Sequence, residues 1–337
     1  MSDLTHISQQ DIADRAEVSV MTVSRALSGK TGVSEVLRER ICQLAEEMGY
    51  VPNPLVQSLI RTRKQKSQSQ PLLLGWYGAK SSLRKRDRKH RTYDNFDEYF
   101  KGAEELCSQR GFRIEDVPFH EIPISRAEQI LKARGIRGLL LGPGETNQTD
   151  SLAQESPLYI VQIGRSRPNP VHDRIVTDSF RSMLRCLEVL RETGYLRIGY
   201  VDDRTREERN EFRHHAAFLL QHPVNAVRFH LREPGDDPDQ ALQTYLKKVN
   251  PDALVIGGRS MRDAVLRHPS PPPFLLLSRN GQPDWVSGMT VRHRDMGAEA
   301  ARRLIDVILG PQPARLQGHS VSLNEIWHQG TSHLRKR

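Results

Sequence analysis

The sequence predicts an α/β protein: a small N-terminal helical unit, then a long region of parallel sheets arranged as two lobes. Three observations predict it. Residues 5–49 carry helix-capping signals and little proline, and read as a compact helical unit. Residues 50–71 (YVPNPLVQSLIRTRKQKSQSQP) pass from prolines through a short apolar stretch into a Lys/Gln/Ser run, polar and unable to bury a core. From Leu72 onward, short β-rich runs alternate with helical patterns, as in parallel strands covered by helices. That length is generous for one sheet, so two similar lobes with a cleft between them are expected. The expected domain boundaries are 1–49, 50–71 and 72–337.

Taken in order, the first helix starts at Ser8, which can cap it, and turns Ile12, Ala13 and Ala16 inward. Ala13 is small enough to let a second helix cross closely. A short turn through Glu17 and Val18 follows, and Ser19 caps the second helix by accepting from the N–H groups of its first turn. Val23, Ala26 and Leu27 form the buried stripe of that helix. A third, from about Ser34 to Met48, packs Leu37, Ile41, Leu44 and Ala45, and Gly49 is placed to end it in the left-handed conformation. In the long region the expected strands are Leu72–Tyr77, Gly138–Leu141, Leu158–Ile163, Arg197–Val201, Ala253–Ile256 and Phe274–Ser278, and Arg174–Val176 is strand-like. Phe96–Gln109 and Asp295–Leu309 repeat apolar residues at helical spacing.

Two crossing helices joined by this turn make a helix-turn-helix, whose second helix enters the major groove of DNA. With the apolar stripe inward, that helix presents Val20, Met21, Thr22, Ser24 and Arg25 outward. Arg25 can donate two parallel hydrogen bonds to guanine O6 and N7, worth ~1–3 kcal/mol of discrimination. Val20 and Met21 have no donor and would press on thymine methyls or exclude water. The hydroxyls of Ser19, Thr22 and Ser24 suit phosphate oxygens, which position without specifying. The competing reading is a plain three-helix bundle with a solvated polar face. Beyond it, Tyr50–Leu59 is a proline-started helix of about two turns, too short to be stable alone. Its apolar residues Leu55, Val56 and Leu59 could order against a partner, and a leucine wedge into a DNA minor groove is one use. Arg61, Arg63, Lys64 and Lys66 follow, where they can reach phosphates and make affinity fall with salt.

Residues 5–61 resemble the DNA-binding headpiece and hinge of LacI/GalR-family transcriptional regulators, through VSVMTVSRAL, MGYVPNPL and QSL. The resemblance continues in ETGYLRIGYV (192–201), RDMGAEAARRLIDVI (294–308) and SLNEIWHQGTS (322–332), and so covers almost the whole chain. It implies a homodimer reading a pseudo-palindromic operator in double-stranded DNA. Val20, Met21 and Arg25 match the base-reading positions, Leu59 the hinge leucine that wedges into the minor groove, and Asn53 the asparagine at the hinge start. Two departures stand out. Glu17 occupies a position where glycine is common, and Val20–Met21 replace a pair that is often polar, so no relative's operator preference transfers.

The resemblance also implies a periplasmic-binding-protein-like domain of two lobes closing on a small effector, a sugar or an anionic metabolite. Ligands of parallel α/β lobes sit at the carboxyl ends of strands. That places the site at the loops after Tyr77, Leu141, Ile163, Val201, Ile256 and Ser278. Arg209 and Arg213 lie near the family's ligand-binding arginine, and a shift of one residue puts His214 there instead. Asp178 matches a common family aspartate, with capping of the helix at Ser179 as its alternative role. Arg279–Asn280 stand where relatives often carry an aspartate, and a cation there favours an anionic or amide ligand over a neutral sugar.

The net charge of +9 is unevenly spread. Residues 1–60 hold five Lys/Arg and eight Asp/Glu, residues 61–91 hold eleven and one, and residues 92–337 hold 34 and 32. Four of those eleven, Arg61, Arg63, Lys64 and Lys66, follow the hinge. The rest, Lys80–Arg91, reads as a solvated loop, a funnel for an acidic effector or an extra polyanion contact. Three dispersed cysteines argue against a disulfide framework or a cysteine zinc site. No apolar run has the ~18–20 residues that cross a bilayer, and the first residues lack a signal-peptide core, so a cytoplasmic protein without membrane contact is expected. Nucleotide, metalloprotease, nucleophile-elbow and C-x-x-C motifs are absent, so no catalytic residue, metal or cofactor is expected. The reading is therefore a DNA-binding repressor, and the alternative is a solute receptor without DNA function.

Overall fold

The computed structural model of the chain describes residues 7–27, 32–50, 71–78, 94–117, 124–143, 158–165, 172–221, 228–310 and 318–334. They fall into two units, Met1–Gln70 and Pro71–Arg337. The hinge and linker positions Asn53, Leu55, Val56, Leu59, Arg61, Arg63 and Lys64, and the basic segment Lys80–Arg91, lie outside the described residues.

In the first unit, helix α1 (Gln9–Ala16) opens on a reciprocal cap. Ser8 Oγ accepts from the Asp11 N–H at 3.3 Å, and Asp11 Oδ2 accepts from the Ser8 N–H at 2.7 Å. Glu17 ends it in the left-handed conformation, φ 57°, at a cost of about 1 kcal/mol for a residue with a Cβ. The turn leads into α2 (Val20–Leu27), and Ser34 Oγ, accepting from the Leu37 N–H, starts α3 (Glu35–Glu47). Ile12, Ala13, Ala16, Val23, Ala26, Ile41 and Ala45 form the buried core of the three helices. Gly49 closes the unit at φ 69°, as its position in the sequence requires.

The second unit contains two six-stranded sheets. The first lobe is built from β1 (Leu72–Tyr77), α4 (Asp94–Gln109), β2 (Phe112–Asp116), α5 (Ile124–Ala133), β3 (Gly138–Leu141), β4 (Tyr159–Ile163) and β5 (Asp173–Thr177). The chain then builds the second lobe from α6 (Ser179–Glu192), β6 (Ile198–Asp203), α7 (Arg204–Arg209), α8 (Arg213–Leu220), β7 (Phe229–Arg232), α9 (Pro238–Val249), β8 (Ala253–Ile256), α10 (Arg259–Arg267), β9 (Phe274–Leu276) and β10 (Gly288–Thr290). Helix α11 (His293–Leu309) and β11 (Ser320–Leu323) return to the first lobe, and β12 (Ile326–His328) ends in the second. The strand orders are β11-β5-β4-β3-β1-β2 and β12-β10-β9-β8-β6-β7. The described pairings are parallel apart from β10 with β12. The chain thus crosses between lobes three times, at Asp178, at Val291–Arg292 and at Asn324–Glu325.

Apart from β10, the interior strands are those the sequence predicts, because burial on both faces demands continuous apolar runs. The strands it does not predict lie mainly at the edges. Phe112–Asp116 buries alternate residues, Phe229–Arg232 fully buries only Leu231, and Ile326–His328 stays partly exposed throughout. Such strands are polar enough to read as loops.

Packing in the first lobe turns on two glycines. A Cβ on Gly102 of α4 would lie 1.8 Å from the Arg294 carbonyl oxygen, and one on Gly297 of α11 would lie 1.8 Å from that of Tyr99. Backbone therefore meets backbone where these helices cross, beside the buried Tyr99, Ala103 and Met296. Gly297→Ala is expected to destabilise this lobe by at least about 2 kcal/mol through overpacking, read as an earlier transition in urea unfolding; an unchanged midpoint would show that the helices separate freely.

Candidate functional site

The first candidate surface is the N-terminal turn of α2. Ser19 Oγ accepts from the Thr22 N–H at 3.1 Å and lies 2.8 Å from Thr22 Oγ1, so both hydroxyls take part in the cap. Burial of Val23 and Ala26 fixes the rotation of the helix. That rotation leaves Val20 36% and Met21 64% exposed, with Arg25 exposed and Ser24 half-buried. Two large apolar side chains held in water beside a guanidinium form a surface with an apolar and a hydrogen-bonding part, the combination that base edges in a major groove present.

The second is a cleft of about 300 Å³ between the lobes of the second unit. Pro143 and Arg165 reach it from the first lobe, after β3 and β4, and Arg206, Arg209, Asn210 and His214 from the second. Glu325 lines it at the third crossing. Below it, at the end of β6, lies a group of buried charges. Arg206 Nη1 is 2.5 Å from Asp202 Oδ2, which also accepts from the Tyr200 hydroxyl at 2.6 Å. Glu207 is fully buried, with Oε1 3.0 Å from His214 Nδ1 and Oε2 accepting from the His215 N–H at 3.0 Å. Burial lifts the Asp202 carboxyl to about 6, against the pull of Arg206. Burial would also raise Glu207, but the bond with His214 and the nearby charges outweigh it and hold the carboxyl at about 2. Burial pushes His214 down to about 4, so the ring is neutral near pH 7. Asp202, Glu207 and His214 lie close enough to share a metal ion, but Arg206 already stands against both carboxylates, at 2.5 Å and 3.9 Å, and balances their charge.

A second charged group spans the lobes. Glu211 and Phe212 are consecutive left-handed residues, φ 56° and 53°, and this turn carries the Glu211 carboxylate to the first lobe. There Oε1 accepts from Arg174 Nη1 at 2.9 Å, and Oε2 lies 3.7 Å from Arg165 Nε. Arg213 Nη2 also donates to Oε2, at 3.0 Å. Burial would raise the Glu211 carboxyl, but these guanidiniums outweigh it and hold it below the ordinary range.

The structure sorts the effector candidates read from the sequence. Arg209 lines the cleft and donates from Nε to the Thr205 carbonyl. His214 lines it too, and Arg213, its neighbour, instead turns to Glu211. Asp178 Oδ1 accepts from the Arg181 N–H at 3.1 Å, the capping role. Arg279 corrects an expectation. Its guanidinium donates to the Val286, Gln282 and Pro283 carbonyls, closing its own loop, and does not line the cleft. Asn280 is engaged within the fold: Oδ1 accepts from the Val291 N–H and Nδ2 donates to the Val291 carbonyl, both at 2.8 Å, which secures the second crossing. Sequence reasoning missed Arg165, although it directly follows a predicted strand. It also missed Glu207 and Glu211, concealed in the charge-dense run RTREERNEFR.

Residues 8–53 match the profile of the family described as "Bacterial regulatory proteins, lacI family". The HTH-type transcriptional regulator KdgR of Bacillus subtilis (strain 168) is 27% identical over 194 residues, 56% of this chain and 52% of that protein. The HTH-type transcriptional regulator AscG of Escherichia coli (strain K12) is 49% identical over 49 residues, 14% of this chain and 15% of that protein. The chain spans about half the length of the curated relatives first matched. Among solved structures, a transcriptional regulator CelR–cellobiose complex superposes with TM-score 0.58 at 18% identity, covering 97% of this chain and 100% of that one. The lac repressor dimer bound to operator and the anti-inducer ONPF gives TM-score 0.57 at 17% identity, covering 98% and 100%. These likenesses are of fold. The lacI-family match lies on the three-helix unit, and the two-lobed fold that follows it in sequence is shared with these solved structures. No described helix is long and apolar enough to cross a membrane.

Two outcomes follow for the cleft. Glu211→Gln is expected to reduce stability by about 1–3 kcal/mol, the scale of a charged hydrogen bond, and to enlarge the radius of gyration in small-angle scattering; an unchanged radius would mean the lobes are held without it. A histidine held low contributes stability that is complete above its unfolded value of 6.5 and is lost as pH falls toward about 4, because the unfolded chain takes up the proton first. The urea midpoint should therefore fall between pH 6.5 and 4, and fall less in His214→Gln, whereas equal slopes would assign the loss to other groups.

Proposed function

We propose that the chain is a sequence-specific DNA-binding transcriptional repressor. It binds a pseudo-palindromic operator as a homodimer, and a small molecule in the interlobe cleft modulates its affinity. The observation that carries this reading is the surface of α2: Val20, Met21 and Arg25 stand exposed on a helix whose rotation is fixed by buried Val23 and Ala26. Arg25 reads guanine, and Val20 and Met21 contact thymine methyls. Ser24 and the N–H groups at the start of α2, with Ser19 and Thr22 ordering that turn, contact phosphate.

The lacI-family match over residues 8–53 supports this reading, as do relatives described as transcriptional regulators and repressors. The hinge reading adds Asn53, Leu55, Val56 and Leu59 in the minor groove, and Arg61, Arg63 and Lys64 on phosphates, giving an affinity that falls with salt. The relatives named above are regulators and not enzymes, and no catalytic role is proposed.

The test is in-vitro selection of bound DNA with the full chain and with Arg25→Ala. The wild-type protein should select a palindrome-like site. Arg25→Ala should lose about 10–100-fold in specific affinity, matching ~1–3 kcal/mol for a bidentate base contact, while keeping weak, salt-sensitive binding. Unchanged selected sites in the variant would remove Arg25 from the reading surface, and no binding to its own upstream DNA at low salt would remove the function.

A further inference from the structure

Resting on the reading of the interlobe cleft as the effector site, we propose that its ligand is a hydroxylated carboxylic acid of monosaccharide size, with its carboxylate on Arg165 and its hydroxyls on His214 and Glu325.

Unpartnered polar atoms lead to this ligand. Among the described residues, eight buried side-chain nitrogen or oxygen atoms have no hydrogen-bond partner. Three of them, Arg165 Nε, His214 Nε2 and Glu325 Oε2, belong to residues lining this one cleft. Buried polar groups are normally satisfied, and a cluster of exceptions marks a place where a ligand supplies the missing partners.

Charge decides the class of ligand. The Arg165 side chain is 9% exposed, and among the described residues its one hydrogen bond is from Nη1 to the Thr177 carbonyl at 2.9 Å. Glu211, 3.7 Å from Nε, is shared with Arg174 and Arg213. Asp178 also faces Arg165, but its carboxylate caps α6. Among the described residues, three guanidiniums thus face two carboxylates, one of which caps α6, and Arg209 adds a further cation to the lining. Burial, with Arg213 and Arg174 adding to it, pushes Arg165 down to about 10, the response of a buried cation among like charges. Arg206, beside Arg209, does not add to this excess because Asp202 engages it. Glu325 offsets it only in part, since burial raises that carboxyl to about 7. A neutral sugar would leave the buried guanidinium with only the shared charge of Glu211 at 3.7 Å, whereas a carboxylate accepts two parallel bonds from it.

Size and polarity complete the description. The cleft, about 300 Å³, is at the lower end of ligand pockets (~300–1,000 Å³), which favours a ligand of monosaccharide size. Neutral His214, through Nε2, and Glu325, through Oε2, are suited to hydroxyls, each able to make one further hydrogen bond.

The test is calorimetry on the full chain with gluconate, glucuronate and galacturonate, their neutral counterparts glucose and galactose, and glucose 6-phosphate. At least one acid should bind with a Kd 100-fold or more below that of its neutral counterpart. Binding should weaken at least 50-fold in Arg165→Gln, or in Arg165→Lys if the first variant fails to fold, and should disappear in Ser278→Trp, which fills the cleft. Neutral sugars binding as tightly as the acids, with loss in Ser278→Trp, would overturn the acid and leave the cleft reading intact. Acid binding that survives Ser278→Trp would overturn the cleft reading itself. Tighter binding of the phosphate ester, or no binding by any of the acids, would also reject the proposal.

Discussion

The chain passes between its two lobes three times, and the hydrogen bonds at those passages limit what the cleft between them can do. At the first, the Asp178 N–H donates to the Leu323 carbonyl, tying it to the strand that precedes the third. At the second, Asn280 reaches back to take both the N–H and the carbonyl of Val291. At the third, half-buried Glu325 is hydrogen-bonded to Ser182 and Thr177. Three peptide connections fixed at so few points leave bending as the easy motion of one lobe against the other, the geometry of a hinge. The contacts across the cleft, chiefly Glu211 with Arg174 and Arg165, then set how far it opens.

The electrostatics of the cleft follow from burial. Asp202, Arg206, Glu207 and His214 sit at the end of a central strand, where an unpaired charge would be prohibitive. They persist because each is matched: Arg206 against Asp202, His214 and a backbone N–H against Glu207. This matched group fixes the start of α7 and α8 and therefore the direction in which Arg209 and His214 face. Arg165, across the cleft, is poorly matched. The difference between a balanced and an unbalanced group of charges separates scaffold from binding surface in this protein.

Much of the architecture was legible because it is encoded locally. The turn at Glu17, the caps at Ser8, Ser19 and Ser34, and the interior strands such as Gly138–Leu141 and Ala253–Ile256 follow from side-chain chemistry within a few residues. The edge strands were not legible, since a strand with one solvated side lacks the apolar run that marks a buried one. The crossing of α4 and α11 was not legible either. Gly102 and Gly297 look like ordinary helical glycines until the partner backbone, almost 200 residues away in sequence, is brought against them.

By itself, the sequence determined the α/β class, the three-helix headpiece, and the outward face of α2 with Val20, Met21 and Arg25. Periodicity and capping operate over single turns, and a helix buried on one stripe has only one way to face. Only the tertiary structure decided which arginines belong to the cleft. Arg213 and Arg279 look as suitable in sequence as Arg165, yet one is drawn to Glu211 and the other to its own loop carbonyls. A guanidinium on a flexible stem goes where acceptors are. The Glu211 carboxylate that organises this site reaches Arg174 across 37 residues of sequence, a juxtaposition that no local pattern encodes.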